Sequence, residues 1–191
     1  MSVNNAFLVK PNIIYQTTFI AAIKELQKSK NTTNYLESNL DLQKLANKQY
    51  FADYLNSLAK QAVGADLKLG WVAHTTYWFI KHQSDNKLVW LGRVNIRHRL
   101  TEHLRKIGGH IGYVIRPSMR RQGYGNRLLA LALDKVRVGR PQLDTDRVLL
   151  TCDETNLGSK KIIENNGGIF ANYAEQTPPL PRKLRYWISL T

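Results

Sequence analysis

Between an apolar run, Ile111 to Ile115, and a helix-patterned segment, Arg127 to Val138, the chain places Arg120-Arg121-Gln122-Gly123-Tyr124-Gly125-Asn126. A strand that feeds a helix through a short basic loop must turn sharply, and glycine permits the backbone conformations and close approaches such a turn needs. The first N–H groups of the helix have no partner within it, and the helix dipole adds partial positive charge at that end. The combination is an anion site, with phosphate as the natural guest. Two better-known phosphate loops are excluded. Nothing matches Gly-x-x-x-x-Gly-Lys-Ser/Thr, and Leu128 stands where a dinucleotide fingerprint needs its third glycine.

What remains, Arg120-x-x-Gly123-x-Gly125, resembles the Arg/Gln-x-x-Gly-x-Gly/Ala signature of the GNAT family of N-acetyltransferases, in that family's strand-loop-helix setting. Downstream, Arg147 to Asp153 reads as a buried strand, and Asn156 to Gly168 as a helix with a glycine stop. This pair resembles the family's second cofactor segment, Asn-x-x-Ser/Ala on a helix ending in Gly. Leu88 to His98 and Gly109 to Pro117 resemble its paired central strands, so the likeness covers the chain from about Trp71 onward. The first seventy residues are less specific and read as the acceptor side of a single domain spanning 1–191.

The resemblance implies acetyl-CoA as acyl donor and direct attack by a bound primary amine in a ternary complex. Backbone N–H groups of Val114, Ile115 and Arg116 would hold the pantetheine and the acetyl carbonyl, acting like an oxyanion hole. Arg120, Arg121, Gln122, Gly123, Tyr124, Gly125 and Asn126 would grip the pyrophosphate. Asn156 and Ser159 would contact the pantetheine arm, and their residue types also suit a helix N-cap. No metal is implied. The family often has a Tyr seven residues after the Asn to protonate the leaving thiolate, and this chain has Ile163. Tyr113, Tyr124 and Tyr173 are the substitutes within the sequence. His110, opening the strand next to where one branch of the family places a catalytic Glu, is the candidate base, since imidazole titrates near neutrality. Its other reading is a structural histidine bonding nearby backbone. His98, Glu102 and Glu154 are weaker candidates. Cys152, inside an apolar strand, reads as an inert thiol.

Composition bounds the rest. Apolar residues make up 43% and charged residues 22% of the 191, an ordinary globular balance. Cys152 is the only cysteine, so no internal disulfide forms. The start lacks a leader pattern, and the apolar run Leu128 to Leu133 is too short for a membrane, so the expected setting is the cytoplasm. The net charge of +14 favours anionic ligands. Two rival readings stay open: a non-catalytic acyl-CoA-binding or sensor domain, and a nucleic-acid binder. The latter is disfavoured because Arg93, Arg97, Arg99, Arg105 and Lys106 have no interleaved aromatics to stack bases. An acidic protein partner and a homodimer also stay open.

Along the chain, Phe7 to Lys10 reads as a strand, Tyr15 to Lys28 and Asn47 to Val63 as amphipathic helices, and Ser29 to Asn39 as a loop. His74 to His82 and Lys87 to His98 read as a hairpin turned by Ser84-Asp85-Asn86. Thr101 to Ile107 reads as a short helix or turn, and Gly168 to Tyr173 and Leu184 to Leu190 as final strands. This mixed order predicts an α+β fold. The resemblance sharpens it to the GNAT acyl-CoA N-acyltransferase fold, a mainly antiparallel sheet whose central strands splay apart between flanking helices.

Overall fold

The structure, a computed structural model, describes residues 3–29, 39–83, 87–139, 143 and 145–191, with residue 4 described by its backbone alone. The hairpin turn at Ser84-Asp85-Asn86 and most of the loop after the first helix lie outside the described residues. Four strands, β1 (Ala6–Val9), β2 (His74–His82), β3 (Leu88–Arg97) and β4 (Ile111–Ile115), form one sheet in that order, every pair antiparallel. β2 and β3 are buried on both faces, which is why they read as nearly continuous aromatic and β-branched runs rather than as alternating patterns.

One face of this sheet is covered by α1 (Gln16–Lys28), α2 (Leu42–Ala46) and α3 (Lys48–Ala62). α1 turns Phe19, Ala22, Ile23 and Leu26 inward at helical spacing, all fully buried. Phe19 stacks on Trp78 of β2 at 4.6 Å between ring centroids, with Phe51 of α3 packed beside both. Aromatic contacts of this kind add about 0.5–1.5 kcal/mol each beyond area burial, and three of them fix the helical layer to the sheet. α2 is absent from the sequence reading because five residues are too few to display a period. It is nucleated by Asp41, whose carboxylate accepts from Gln43 and Lys44 N–H.

The other face packs under α5 (Tyr124–Val138), after a short α4 (Glu102–Ile107). A second sheet, β5 (Arg147–Asp153), β7 (Lys183–Ser189) and β6 (Ile169–Ala174), has the order β5-β7-β6 and carries α6 (Leu157–Asn165). The main core joins both sheets through Leu128, Leu129, Val148, Leu150 and Tyr186.

Among the described residues, backbone hydrogen bonding between the two sheets falls at one place. His110 donates its N–H to Leu149 O (2.7 Å) while its Nδ1 accepts from Leu149 N–H (2.8 Å), and its carbonyl accepts from Arg97 N–H on β3. Gly109 (φ +65) makes this approach feasible, because a Cβ there would lie 2.5 Å from Leu149 O. Beyond this point β4 and β5 share no ladder, and a gap opens between them.

This geometry corrects the reading of His110 as a base. The residue is 6% exposed and its Nδ1 lone pair is committed to Leu149. Burial, with Arg105 and Arg97 nearby, lowers its pKa from 6.5 to about 4. An unfolded imidazole binds a proton near 6.5 and the folded one only near 4, so the stabilisation is complete above the first value and lost as pH falls towards the second. The span corresponds to at most about 3 kcal/mol. Thermal unfolding between pH 7.5 and 4.5 is expected to show this slope in the native chain and a flatter one in His110→Gln, whose amide oxygen can still accept from Leu149.

Candidate active site

The gap is lined by backbone before it is lined by side chains. Arg97 N–H donates to His110 O and Arg116 N–H donates to Leu91 O, both at 2.8 Å, so these ends of β4 face β3. Backbone groups alternate sides along a strand, which turns Gly112 and Val114 to β3 as well, and Tyr113 and Ile115 towards the gap. The Ile115 carbonyl agrees, since it accepts from Arg120 Nε (3.1 Å) and not from β3. The expected donor set of Val114, Ile115 and Arg116 is corrected accordingly. Arg116 and Val114 are used within the sheet, and Ile115 and Tyr113 carry the outward N–H groups. Parity relative to β3 was the missing signal, and it needs a register that one sequence does not supply.

At the mouth of the gap, Arg116 pairs with Glu25 of α1 (Nη2 to Oε1, 2.5 Å), and Ser118 Oγ donates to the other carboxylate oxygen (2.7 Å). Burial works to raise the Glu25 pKa, but these hydrogen bonds outweigh it and hold the group below its ordinary value. A single carboxylate thus ties the turn after β4 to the helical layer. The following loop carries two left-handed residues, Arg121 (φ 60) and Gly123 (φ 83). A non-glycine residue in that region is strained and marks a conformation the surroundings enforce. Among the described residues, the N–H groups of Arg121, Gln122, Gly123, Tyr124, Gly125 and Asn126 find no acceptor. They end on the N-terminus of α5, so the loop fits a phosphate group.

Side chains of the motif divide their work. Gln122 donates to Ser118 O, and the Tyr124 hydroxyl, whose ring is part of the main core, accepts from Lys81 Nζ (2.9 Å). Gly125 faces α6: a Cβ there would sit 2.4 Å from Ile162 Cδ1. The second glycine is therefore needed for helix packing, a role the spacing alone did not reveal. Asn126 Oδ1 lies 3.4 Å from Asn165 Nδ2 on the same helix pair.

Across the gap, Asn156 caps α6, its Oδ1 accepting from Ser159 N–H (3.0 Å). Ser159 Oγ in turn lies 2.8 Å from Tyr113 Oη, so β4 and α6 meet through two hydroxyls. Ile163 is fully buried in the main core and offers nothing to the gap. Tyr173 sits on β6 beside Arg182. Cys152 is 5% exposed, and burial pushes its thiol up to about 11, which leaves it unreactive.

A cleft of about 230 Å³ opens on the face covered by α1 to α3. Its floor is His74 and Thr76 of β2 with Arg93 and Asn95 of β3, and its walls include Tyr54, Gln61, Lys68 and Trp71. Arg93 and Asn95 pair with Val114 and Gly112, which places the floor one strand from the gap. Thr76 Oγ1 donates to Asn95 Oδ1 (3.1 Å), leaving the amide NH2 as the donor of that residue. His74 Nδ1 lies 2.9 Å from Val72 O, the geometry of an N–H donating to a carbonyl, so Nε2 is an acceptor. Burial, with Arg97, Arg93 and His98 adding to it, keeps the His74 pKa below its ordinary value despite that bond. His74 escaped the sequence reading because no motif surrounds it. Arg93 and Arg97 from the basic run lie on this covered face, not on a solvent-facing groove for nucleic acid.

The comparisons with known proteins agree with this architecture. Residues 20–169 match the family model described as an acetyltransferase (GNAT) domain, and the chain belongs to that family. Among solved structures, the microcin C7 self-immunity acetyltransferase MccE, in complex with acetyl-CoA and AMP, is 12% identical, with a TM-score of 0.64 over 97% of this chain and 93% of its own. RimL, a ribosomal-protein α-N-acetyltransferase solved with coenzyme A, is 13% identical, with a TM-score of 0.62 over 97% and 94%. YncA from Salmonella typhimurium, described as a putative acetyltransferase with its cofactor acetyl-CoA, is 12% identical, with a TM-score of 0.61 over 98% and 95%. At these identities the likeness is one of fold. No curated protein sequence matches the chain.

The two glycines of the loop should fail differently. Gly125→Ala is expected to cost about 1–3 kcal/mol in thermal or denaturant unfolding through overpacking, and trimming the opposing methyl with Ile162→Val should restore most of it. Gly123→Ala meets only Val3 at 3.6 Å but must hold φ near +83, a strain of about 1–2 kcal/mol. Its larger effect should appear as weakened coenzyme A binding in calorimetry.

Proposed function

We propose that this chain is an acetyl-CoA-dependent N-acetyltransferase that passes an acetyl group to a primary amine within a ternary complex. The observation that carries the reading is the gap between β4 and β5, which has outward N–H groups at Tyr113 and Ile115 and, at its mouth, six N–H groups that find no acceptor among the described residues. Acetyl-CoA supplies an activated thioester. The loop from Arg120 to Asn126 would hold its pyrophosphate, Asn156 Nδ2 would reach its pantetheine arm, and the Tyr113 and Ile115 amides would bind its carbonyl. Donors preorganised for a developing oxyanion contribute roughly 2.7–4 kcal/mol each.

In the transfer, the amine nitrogen bonds to the acyl carbon and the carbon–sulfur bond breaks. The amine's proton leaves to water, and the sulfur takes a proton from Tyr113 Oη. Tyr113 reaches the gap from β4 and is held by Ser159, which supports it as the acid in place of the helix tyrosine that Ile163 displaces. A lone buried thiol, Cys152, suits a reducing compartment such as the cytoplasm.

The second reading, a domain that binds acyl-CoA without turnover, is favoured by Ile163 alone. Thiol release across a panel of amines separates the two: acceptor-dependent release supports transfer, while tight coenzyme A binding with no release for any amine supports the sensor. If Tyr113 is the acid, Tyr113→Phe should lower kcat by roughly 100-fold or more with the coenzyme A dissociation constant within about twofold of native, and Ser159→Ala should have a smaller effect of the same kind.

A further inference from the structure

Resting on the acyl-CoA reading of the loop, we propose that Lys81 is a buried positioning residue for the cofactor's pyrophosphate, its ammonium standing beneath the first turn of α5 as the counter-charge that the bound anion completes. Lys81 lies near the end of β2. It pairs with Val89 while Gly92 pairs with Ile115, which puts it at the end of the sheet where β4 runs out into the loop. Its side chain turns to α5, where Nζ donates to Tyr124 Oη (2.9 Å) and lies 5.2 Å from the centre of that ring. One tyrosine side chain therefore separates the ammonium from the Tyr124 backbone N–H, one of the six that find no acceptor among the described residues.

The surroundings make this lysine costly for the free protein. It is 5% exposed, its hydrogen bond goes to a neutral hydroxyl, and among the described residues no carboxylate pairs with it. A lysine buried without an acid is rare, and an apolar side chain of similar length would fill the space with no desolvation penalty. The first turn of α5 carries no acid either, so nothing in that turn balances the positive end of the helix dipole. Arg127 follows Tyr124 by three positions, on the same side of α5, and its Nε is buried with no hydrogen-bond partner among the described residues. Val3 lies 3.6 Å from where a Cβ of Gly123 would stand, and Ala6 pairs with Lys81, so the N-terminal segment packs on the loop and the lysine's strand together. A cation kept from water in this way is little screened by salt and attracts an anion at the helix start strongly. Stability of the free chain and affinity for the anion then depend on Lys81 with opposite signs, which a packing role would not produce.

The test uses the full chain with Lys81→Met, Tyr124→Phe and the two combined, titrated calorimetrically with coenzyme A and with its 3′-dephospho form, and melted without ligand. Lys81→Met and the double variant should each raise the coenzyme A dissociation constant about tenfold or more, while Tyr124→Phe stays within about threefold of native. The loss should be the same for the dephospho form, since the pyrophosphate is common to both. Without ligand the double variant, in which both partners become apolar, should melt at or above the native temperature. The proposal is overturned if the double variant binds coenzyme A within about twofold of native, if it melts below native or fails to fold, or if the loss vanishes with the dephospho form. A native chain that binds no coenzyme A removes the acyl-CoA reading and this proposal with it. Equal binding by the native chain and the double variant removes this proposal alone. Binding that depends on Lys81, with no thiol release for any amine, leaves it standing and ends the transfer reading.

Discussion

The contact between His110 and Leu149 sets the rest of the molecule. Neighbouring strands in a sheet ordinarily continue their ladder, and here the chain at the start of β4 exchanges two hydrogen bonds with β5 at a single residue, with no ladder beyond it. One of the two uses the imidazole as a surrogate carbonyl, and Gly109 lets the strands approach closely enough for it. Besides that pin, the two sheets are linked through α4, where Thr151 Oγ1 donates to Ile107 O, through α5 and α6, and through the core beneath them. With the pin, the divergence starts from a fixed apex, and the backbone groups that would have completed the ladder are left facing an open gap.

Both walls of that gap are braced from outside it. On the β4 side, Glu25 gathers Arg116 and Ser118, so α1 fixes the turn that leads into the left-handed loop. On the β5 side, Asp153 pairs with Lys183 and Glu154 with Arg182, tying the strand's end to β7. The exposed Glu154 pair contributes little to stability. Its effect is to restrict where α6 begins. The start of α5 is then held against the C-terminal half of α6 by the contacts of Gly125 with Ile162 and of Asn126 with Asn165, while Ser159 in the first turn of α6 meets Tyr113 of β4.

Much of this was legible in the sequence, and the limits have physical causes. Strand β5 and the start of β2 fell at the bounds their apolar runs suggest, because long buried strands carry strong patterns. The glycine motif marked the loop correctly, yet it merged two separate demands: Gly123 answers to a dihedral angle and Gly125 to a neighbouring helix. α5 begins at Tyr124, three residues before its amphipathic pattern becomes visible, because the first turn of a helix is chosen by its cap and its ligand more than by the core. His110 was legible as a site of consequence and open between two roles. A histidine's role depends on what its ring nitrogens touch, and the partner here lies 39 residues away in the chain. His74 was invisible for the same reason, because the cleft it lines, with Tyr54 of the helical layer on its wall, is assembled from separate elements with no motif among them.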